Sequence, residues 1–355
     1  MSVKFGPEIK FGPIYRGRDV HQTPEDRSYN LTNVYRTRDG TLRKRPGYAL
    51  FYDYGVARFI TRIWSNELAP GGIIVARNGA GTNLIIDWLE LDGTLTNLIN
   101  ETDANLPNNT EPSMVGISST RVALAAGLDI VDISGIPAAP AVTDLTNGPA
   151  TTNELNGLTF ARGFLMALGG PSQQLTYFNN NASLSFNTAA DWRTYENIRK
   201  TDFIKSIFNM KDEIANIGNN TVEFAWLDGV TPWAEVDASY IPYGSRQGSE
   251  KAAVKVNDDI YFTTLVNGHP MAVRIIGLNH QLEDISNDIV AVFKENTIPA
   301  IIEGEFELYT SSLFGGTFTF DGIPYYILTD RGGTNGMTLA YDTLHKEWFR
   351  WGIYE

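Results

Sequence analysis

In Asp191-Trp192-Arg193 and Asp330-Arg331, two of the places where this chain sets a carboxylate beside an arginine, the groups could work on a sugar. Glycosidases need a pair of carboxyl groups beside the scissile bond, with cations to hold an anionic ring. Against that reading, the Ser-x-Asp-x-Gly-x-Thr-Trp signature of sialidases is absent, and Asp321-Gly322 and Asp330-Arg331-Gly332 are read more simply as turns. Trp64, Trp88, Trp226, Trp233, Trp348 and Trp351 could form a sugar platform, but on alternating strands large aromatics more often fill the space between sheets. His21, His269, His280 and His345 stand far apart with no metal-ligand spacing. No Gly-x-Ser-x-Gly elbow or phosphate loop is present, and Asn78-Gly79-Ala80-Gly81 lies between two apparent strands, which makes it a hairpin turn and not a nucleotide cradle. With no cysteine, disulfides, thiolate zinc sites and cysteine nucleophiles are excluded. The expectation is a protein that is not an enzyme and has no cofactor, catalytic residue or metal site.

The elements that would carry any such site are strands. Short aromatic and β-branched runs, such as Leu84 to Leu91, Arg121 to Ala126, Asp259 to Val266 and Tyr325 to Leu328, recur from Tyr48 onward. The turns expected between them are Asp92-Gly93, Asn156-Gly157, Asp228-Gly229, Asn267-Gly268 and Asp321-Gly322, residues that tolerate positive φ in tight hairpins. The strands fall into groups of about 40 to 55 residues, which suits four-stranded blades. The predicted fold is therefore all-β, with a β-propeller-like body of several four-stranded blades, five to seven by length, and a β-sandwich pair as the runner-up. One short inserted helix is predicted from Asn287 to about Asn296, capped by Ser286, with Ile289, Val292 and Phe293 on one face.

Hydrophobic residues are 43% of the chain and charged residues 19%, enough apolar material for a packed body and too few charges for general disorder. No run reaches the roughly 18 apolar residues of a membrane helix, and the start of the chain lacks the apolar stretch of a signal peptide, so no membrane partner is expected.

Charge divides the chain in two. The first 50 residues hold ten Lys and Arg against five Asp and Glu, a net of +5, and the remaining residues carry 18 against 36, a net of −18. The reading is a basic extended N-terminal arm, residues 1–47, on an acidic body, residues 48–355. Lys4-Phe5-Gly6-Pro7 recurs as Lys10-Phe11-Gly12-Pro13, and proline and glycine at this density oppose both helix and central strand. Such an arm is a floppy terminus, folds back on its own body, or adds to the sheet edge or groove of another subunit. The candidate subunit-contact residues are Phe5, Pro7, Phe11, Pro13, Tyr15, Arg16 and Arg18, with Arg43, Lys44 and Arg45 as a second basic cluster. Apolar anchors would supply affinity and the arginines register.

Three stretches resemble one family. Asn30-Leu31-Thr32-Asn33-Val34-Tyr35 followed by Gly40 to Tyr48, the run from Asn220-Thr221-Val222-Glu223-Phe224-Ala225-Trp226 through Tyr240-Ile241-Pro242-Tyr243-Gly244-Ser245 and Ala253 to Phe262, and Leu339-Ala340-Tyr341-Asp342-Thr343-Leu344-His345-Lys346-Glu347-Trp348 are similar to podovirus tail hub proteins, also called packaged-DNA stabilisation proteins. The resemblance implies a structural virion protein of the bacteriophage tail or neck, assembled in the host cytoplasm. It would form a ring with copies of itself below the portal and head-to-tail adaptor, close the channel, and let double-stranded DNA pass without sequence-specific binding. An acidic body suits that last role, because it lacks the cationic contacts from which duplex binding draws affinity. The alternative is a glycan-binding or glycan-cleaving propeller, such as a receptor-binding tail module.

Overall fold

A computed structural model describes residues 34–39, 41–44, 52–54, 60–65, 71–100, 106–107, 112–127, 129–136, 138–144, 155–169, 174–178, 192–195, 202–226, 235–245, 250–266, 269–277, 279–286, 289, 293–294, 308–309, 313–330 and 338–351. The chain is all-β and divides into two compact units, one of residues 48–240 and one that joins residues 1–47 to residues 241–355.

The unit that joins the two ends of the chain begins with a lead-in hairpin, β1 (Val34–Arg36) and β2 (Leu42–Lys44), which forms a two-stranded sheet of its own. Four four-stranded sheets follow in the unit of residues 48–240, the last strand of the fourth ending one residue beyond it. They are β3–β6 (Ile60–Trp64, Gly72–Asn78, Leu84–Glu90, Leu95–Ile99), β7–β10 (Ser113–Ser118, Arg121–Ala126, Asp129–Ser134, Ala141–Asp144), β11–β14 (Leu155–Ala161, Phe164–Gly169, Gln174–Phe178, Trp192–Tyr195) and β15–β18 (Ile204–Met210, Glu213–Gly218, Val222–Trp226, Glu235–Ile241). After it come β19–β22 (Val254–Val256, Asp259–Val266, His269–Ile276, Gln281–Asp284), a short parallel pair β23 and β24 (Phe293–Lys294, Leu308–Tyr309), and β25–β28 (Leu313–Phe320, Ile323–Asp330, Thr338–Asp342, Glu347–Trp351).

In all six four-stranded sheets the strands pair in chain order with no crossover. This is the up-and-down blade of a β-propeller, and it differs from the Greek-key order usual in sandwiches. A repeat of 44 to 47 residues underlies it in the unit of residues 48–240, where Asp87, Asp132, Thr176 and Glu223 occupy the third strands of successive sheets. Each pairs across the ladder with a second-strand residue, Val75, Ala123, Ala167 and Asn216 respectively.

The cores lie between sheets. One cluster joins Ile74, Ile86 and Trp88 to Val122, Leu124 and Ile133, and another joins Met166 and Leu168 to Ile207, Ile214 and Ala225. In the unit that includes residues 241–355, Tyr261 and Ala272 pack on Tyr326, Leu328, Tyr341 and Trp348. Burying a large apolar side chain stabilises by about 1.5–3 kcal/mol.

The hairpins at Asp92-Gly93 and Asp321-Gly322 have the expected positive-φ backbone. The Asn156-Gly157 turn does not exist. Those residues lie inside β11, where the register shifts between Leu155 and Gly157 and leaves Asn156 as the extra residue of a bulge. The connection is made instead by Arg162-Gly163, with φ values of 47° and 86°. Asp228-Gly229 and Asn267-Gly268 lie outside the described residues.

The helix expected from Asn287 to Asn296 is also corrected. Ile289 sits in a turn, its amide donating to the Ser286 carbonyl at 2.8 Å, and Phe293–Lys294 is strand β23. The β-branched residues Ile289, Val290 and Val292 lower helix propensity there. Among the described residues the helical structure is a three-residue 3-10 turn, Glu250–Ala252.

Candidate subunit-contact site

The lead-in hairpin docks on the last sheet of its own unit. Register pairs Val34 with Lys44, Tyr35 with Arg43 and Arg36 with Leu42, and both Tyr35 and the Arg36 guanidinium reach the β25–β28 sheet. Tyr35 is buried among Ile323, Tyr325, Ala340 and Phe349, with its ring edge-on to Phe320 at 4.8 Å between centroids. Arg36 grips Glu347 with two bonds, Nε to Oε2 at 2.7 Å and Nη2 to Oε1 at 3.0 Å. Both side chains are largely removed from solvent, 21% and 14% exposed, so this fork is worth more than a surface ion pair.

The hairpin's own turn is held by Asp39. Its carboxylate accepts from the Thr37 hydroxyl and from the Thr41 amide, at 3.2 Å for the latter, and these bonds hold the acid below the usual carboxylate range. Arg38 lies over the turn between β25 and β26, with its guanidinium carbon 3.6 Å from where a Cβ on Gly322 would stand.

The hairpin between β27 and β28 is organised by Asp342. One carboxylate oxygen accepts from the amides of Leu344 and His345, both at 2.9 Å. The other meets the His345 ring Nδ1 at 2.8 Å and lies 3.5 Å from the Tyr325 hydroxyl. Burial, and then the neighbouring Asp342 charge, push the Tyr325 phenol far above its ordinary value. A tyrosine, a carboxylate and a histidine together resemble acid–base machinery, but both carboxylate oxygens are engaged in closing a turn. The arrangement clamps β27 to β28 and anchors the strand that carries Glu347.

Several buried or half-buried carboxylates elsewhere are matched to cations inside single sheets. Asp87 accepts from Arg77 at 2.6 Å and Asn97 at 2.9 Å, Asp132 takes a fork from Arg121, and Arg274 lies between Asp259 and Glu283. These charges serve the sheets. Among the described residues no group of three His, Cys, Asp or Glu is placed to hold a metal ion, and no helix is long and apolar enough to cross a membrane.

Of the residues singled out for subunit contact, Arg43 is exposed on β2 opposite Tyr35, and Lys44 pairs with Val34 at the hairpin's open end. Phe5, Pro7, Phe11, Pro13, Tyr15, Arg16, Arg18 and Arg45 lie outside the described residues. The lead-in segment, the last part of the arm, thus folds onto its own chain. Sequence reasoning missed Tyr35, Arg36 and Glu347 as the docking groups, although the family-like stretches include Tyr35 and Glu347 and stop one residue short of Arg36. Of the sugar-site candidates, Trp192 and Arg193 begin β14, Asp330 ends β26, and Asp191 and Arg331 lie outside the described residues. Trp88, Trp348 and Trp351 are core residues, and Trp64 packs half-buried against the core of its own sheet. Trp226 is 43% exposed at the end of β17, and Trp233 lies outside the described residues.

No family profile and no curated protein matches this sequence. Among solved structures, the chain is similar to the extracellular domain of a candidate one-component system from B. thetaiotaomicron, at 12% identity and a TM-score of 0.49, over 86% of this chain and 34% of the other. It is similar to AofleA from Arthrobotrys oligospora at 11% identity and a TM-score of 0.46, over 84% and 86% of the two chains. A candidate 6-phosphogluconolactonase from Bacteroides fragilis gives 12% identity and a TM-score of 0.46, over 82% of each. The chain spans about a third of the length of the first of these.

Proposed function

We propose that this chain is a non-enzymatic structural protein of a podovirus-type virion, a tail hub or nozzle subunit that forms a ring with its own copies below the portal and adaptor. The observation that carries the reading is the anchored lead-in hairpin. Tyr35 and the Arg36–Glu347 fork fasten residues 34–44 to the last sheet, so the segment before them, with its Lys-Phe-Gly-Pro repeats and Arg16 and Arg18, starts from a fixed point on an acidic body. A tether of that kind delivers apolar anchors and cations to a neighbour while its own root stays folded. The resemblance of the stretches around Val34, Asn220 and Tyr341 to tail hub proteins supports the same role. An acidic exterior would let packaged DNA slide past without adhering.

Deletion of residues 1–18 tests it. The truncated protein is expected to keep the melting temperature and circular dichroism of the intact chain while light scattering falls from a ring mass to that of a single chain. Rings of unchanged mass after the deletion would sink the proposal.

A further inference from the structure

The face of the last sheet that receives the lead-in hairpin is only partly covered. Tyr325, Ala340 and Phe349 in its middle are buried, but at its rim Phe318 is 45% exposed, stacked on Phe320 at 5.9 Å and edge-on to Trp351 at 6.1 Å. Phe318 belongs to β25, the first strand of its sheet, so among the described residues the outer edge from Thr317 to Phe320 has no ladder partner. Thr317, Phe318 and Thr319 are all exposed, and Asp321 stands exposed in the adjoining turn. A bare strand edge beside a half-exposed aromatic cluster is a surface that proteins ordinarily cover.

We infer that this rim receives the Lys4-Phe5-Gly6-Pro7 and Lys10-Phe11-Gly12-Pro13 repeats of a second copy of the chain; the inference rests on the ring reading above and names the acceptor for its arm. Phenylalanine fits against Phe318, lysine complements Asp321, and proline at fixed φ reduces the ordering cost of an extended segment. The described chain begins at Val34, next to this face, and the segment of residues 14–33 before it spans up to about 65–70 Å when extended. Each copy therefore carries both a donor arm and an acceptor rim, and passing each arm to the rim of the next copy is the heterologous arrangement that closes a ring. An arm folded onto its own rim would leave neighbouring copies unlinked.

A photoreactive phenylalanine analogue placed at position 318 of the full-length protein tests this, with light and heavy isotope-labelled copies mixed before assembly. Crosslinks joining light to heavy chains and mapping to residues 4–13 are expected, and Phe318→Ser should keep the melting profile but lose the ring mass. Crosslinks confined to one copy, crosslinks to any other region, or intact rings in Phe318→Ser overturn the inference. If deletion of residues 1–18 abolishes rings while position 318 crosslinks elsewhere, the arm still builds the ring and only this acceptor is wrong. If rings survive the deletion, or the intact protein stays a single chain, both readings fall.

Discussion

Arg36 and Glu347 lie 311 positions apart in the chain and meet as a two-bond fork, 2.7 and 3.0 Å, that fastens the lead-in hairpin to the last strand. Hydrogen bonds to charged partners contribute about 1.5–3 kcal/mol each where solvent is largely excluded. Arg36→Ala and Glu347→Gln are each expected to destabilise by about 1–3 kcal/mol, the lower part of that range reflecting partial exposure. In a double-mutant cycle followed by urea denaturation, the pair should couple by at least about 1 kcal/mol. Strict additivity would mean that Tyr35, and not the fork, anchors the hairpin.

Asp342 is the larger structural liability. Asp342→Ala strands two amides, an imidazole and the Tyr325 hydroxyl at once, so a loss of about 2–4 kcal/mol is expected. Asp342→Asn keeps one acceptor oxygen and should lie between the alanine variant and the parent in thermal denaturation.

Asn216 breaks its own repeat. The equivalent ladder positions hold Val75, Ala123 and Ala167, whereas both polar atoms of the buried Asn216 amide lack a hydrogen-bond partner among the described residues. A buried amide without partners costs free energy that an apolar residue does not. Asn216→Ala should therefore raise stability by about 1 kcal/mol, read as a higher urea midpoint with an unchanged slope.

Tyrosines set the alkaline limit. Burial pushes the phenols of Tyr54 and Tyr261 up to about 12 from an ordinary 10. A folded value above the unfolded one means that the folded state holds its proton longer. The contribution is complete below pH 10 and is lost as pH rises from 10 through about 12. Titration followed by tyrosinate absorbance should show late-ionising phenols whose release coincides with loss of the β-sheet signal; early release with the sheet intact would contradict their burial.

At the acid end Asp39 works with the opposite sign. Its folded value lies below the ordinary 3.8, so its support of the hairpin turn is present above that value and fades as pH falls through the folded one. Because the carboxyl is fully exposed, the expected effect is local. Amide exchange at Thr41 should lose its protection below about pH 4 while the sheets stay protected, and Asp39→Asn should abolish that pH dependence.

Much of this architecture was legible in the chain itself. Alternating apolar runs separated by Asp92-Gly93 and Asp321-Gly322 specify hairpins locally, since strand period and positive-φ tolerance belong to neighbouring residues. Local chemistry also misled. Asn156-Gly157 has turn composition but sits in a bulge, because ladder pairing with β12 outweighs the dipeptide's preference, and Arg162-Gly163 takes the turn beside it. The run after Ser286 has helical spacing, yet Phe293–Lys294 pairs with Leu308–Tyr309, a partner no local window contains. Tertiary structure alone brought Tyr35 to Phe320, Arg36 to Glu347, and Phe318 to the rim they leave open. Residue types and their order determined that the chain is all-β, basic at its start and acidic beyond. Which face the arm's root covers depends on contacts across some 300 residues, and those exist only once the sheets have formed.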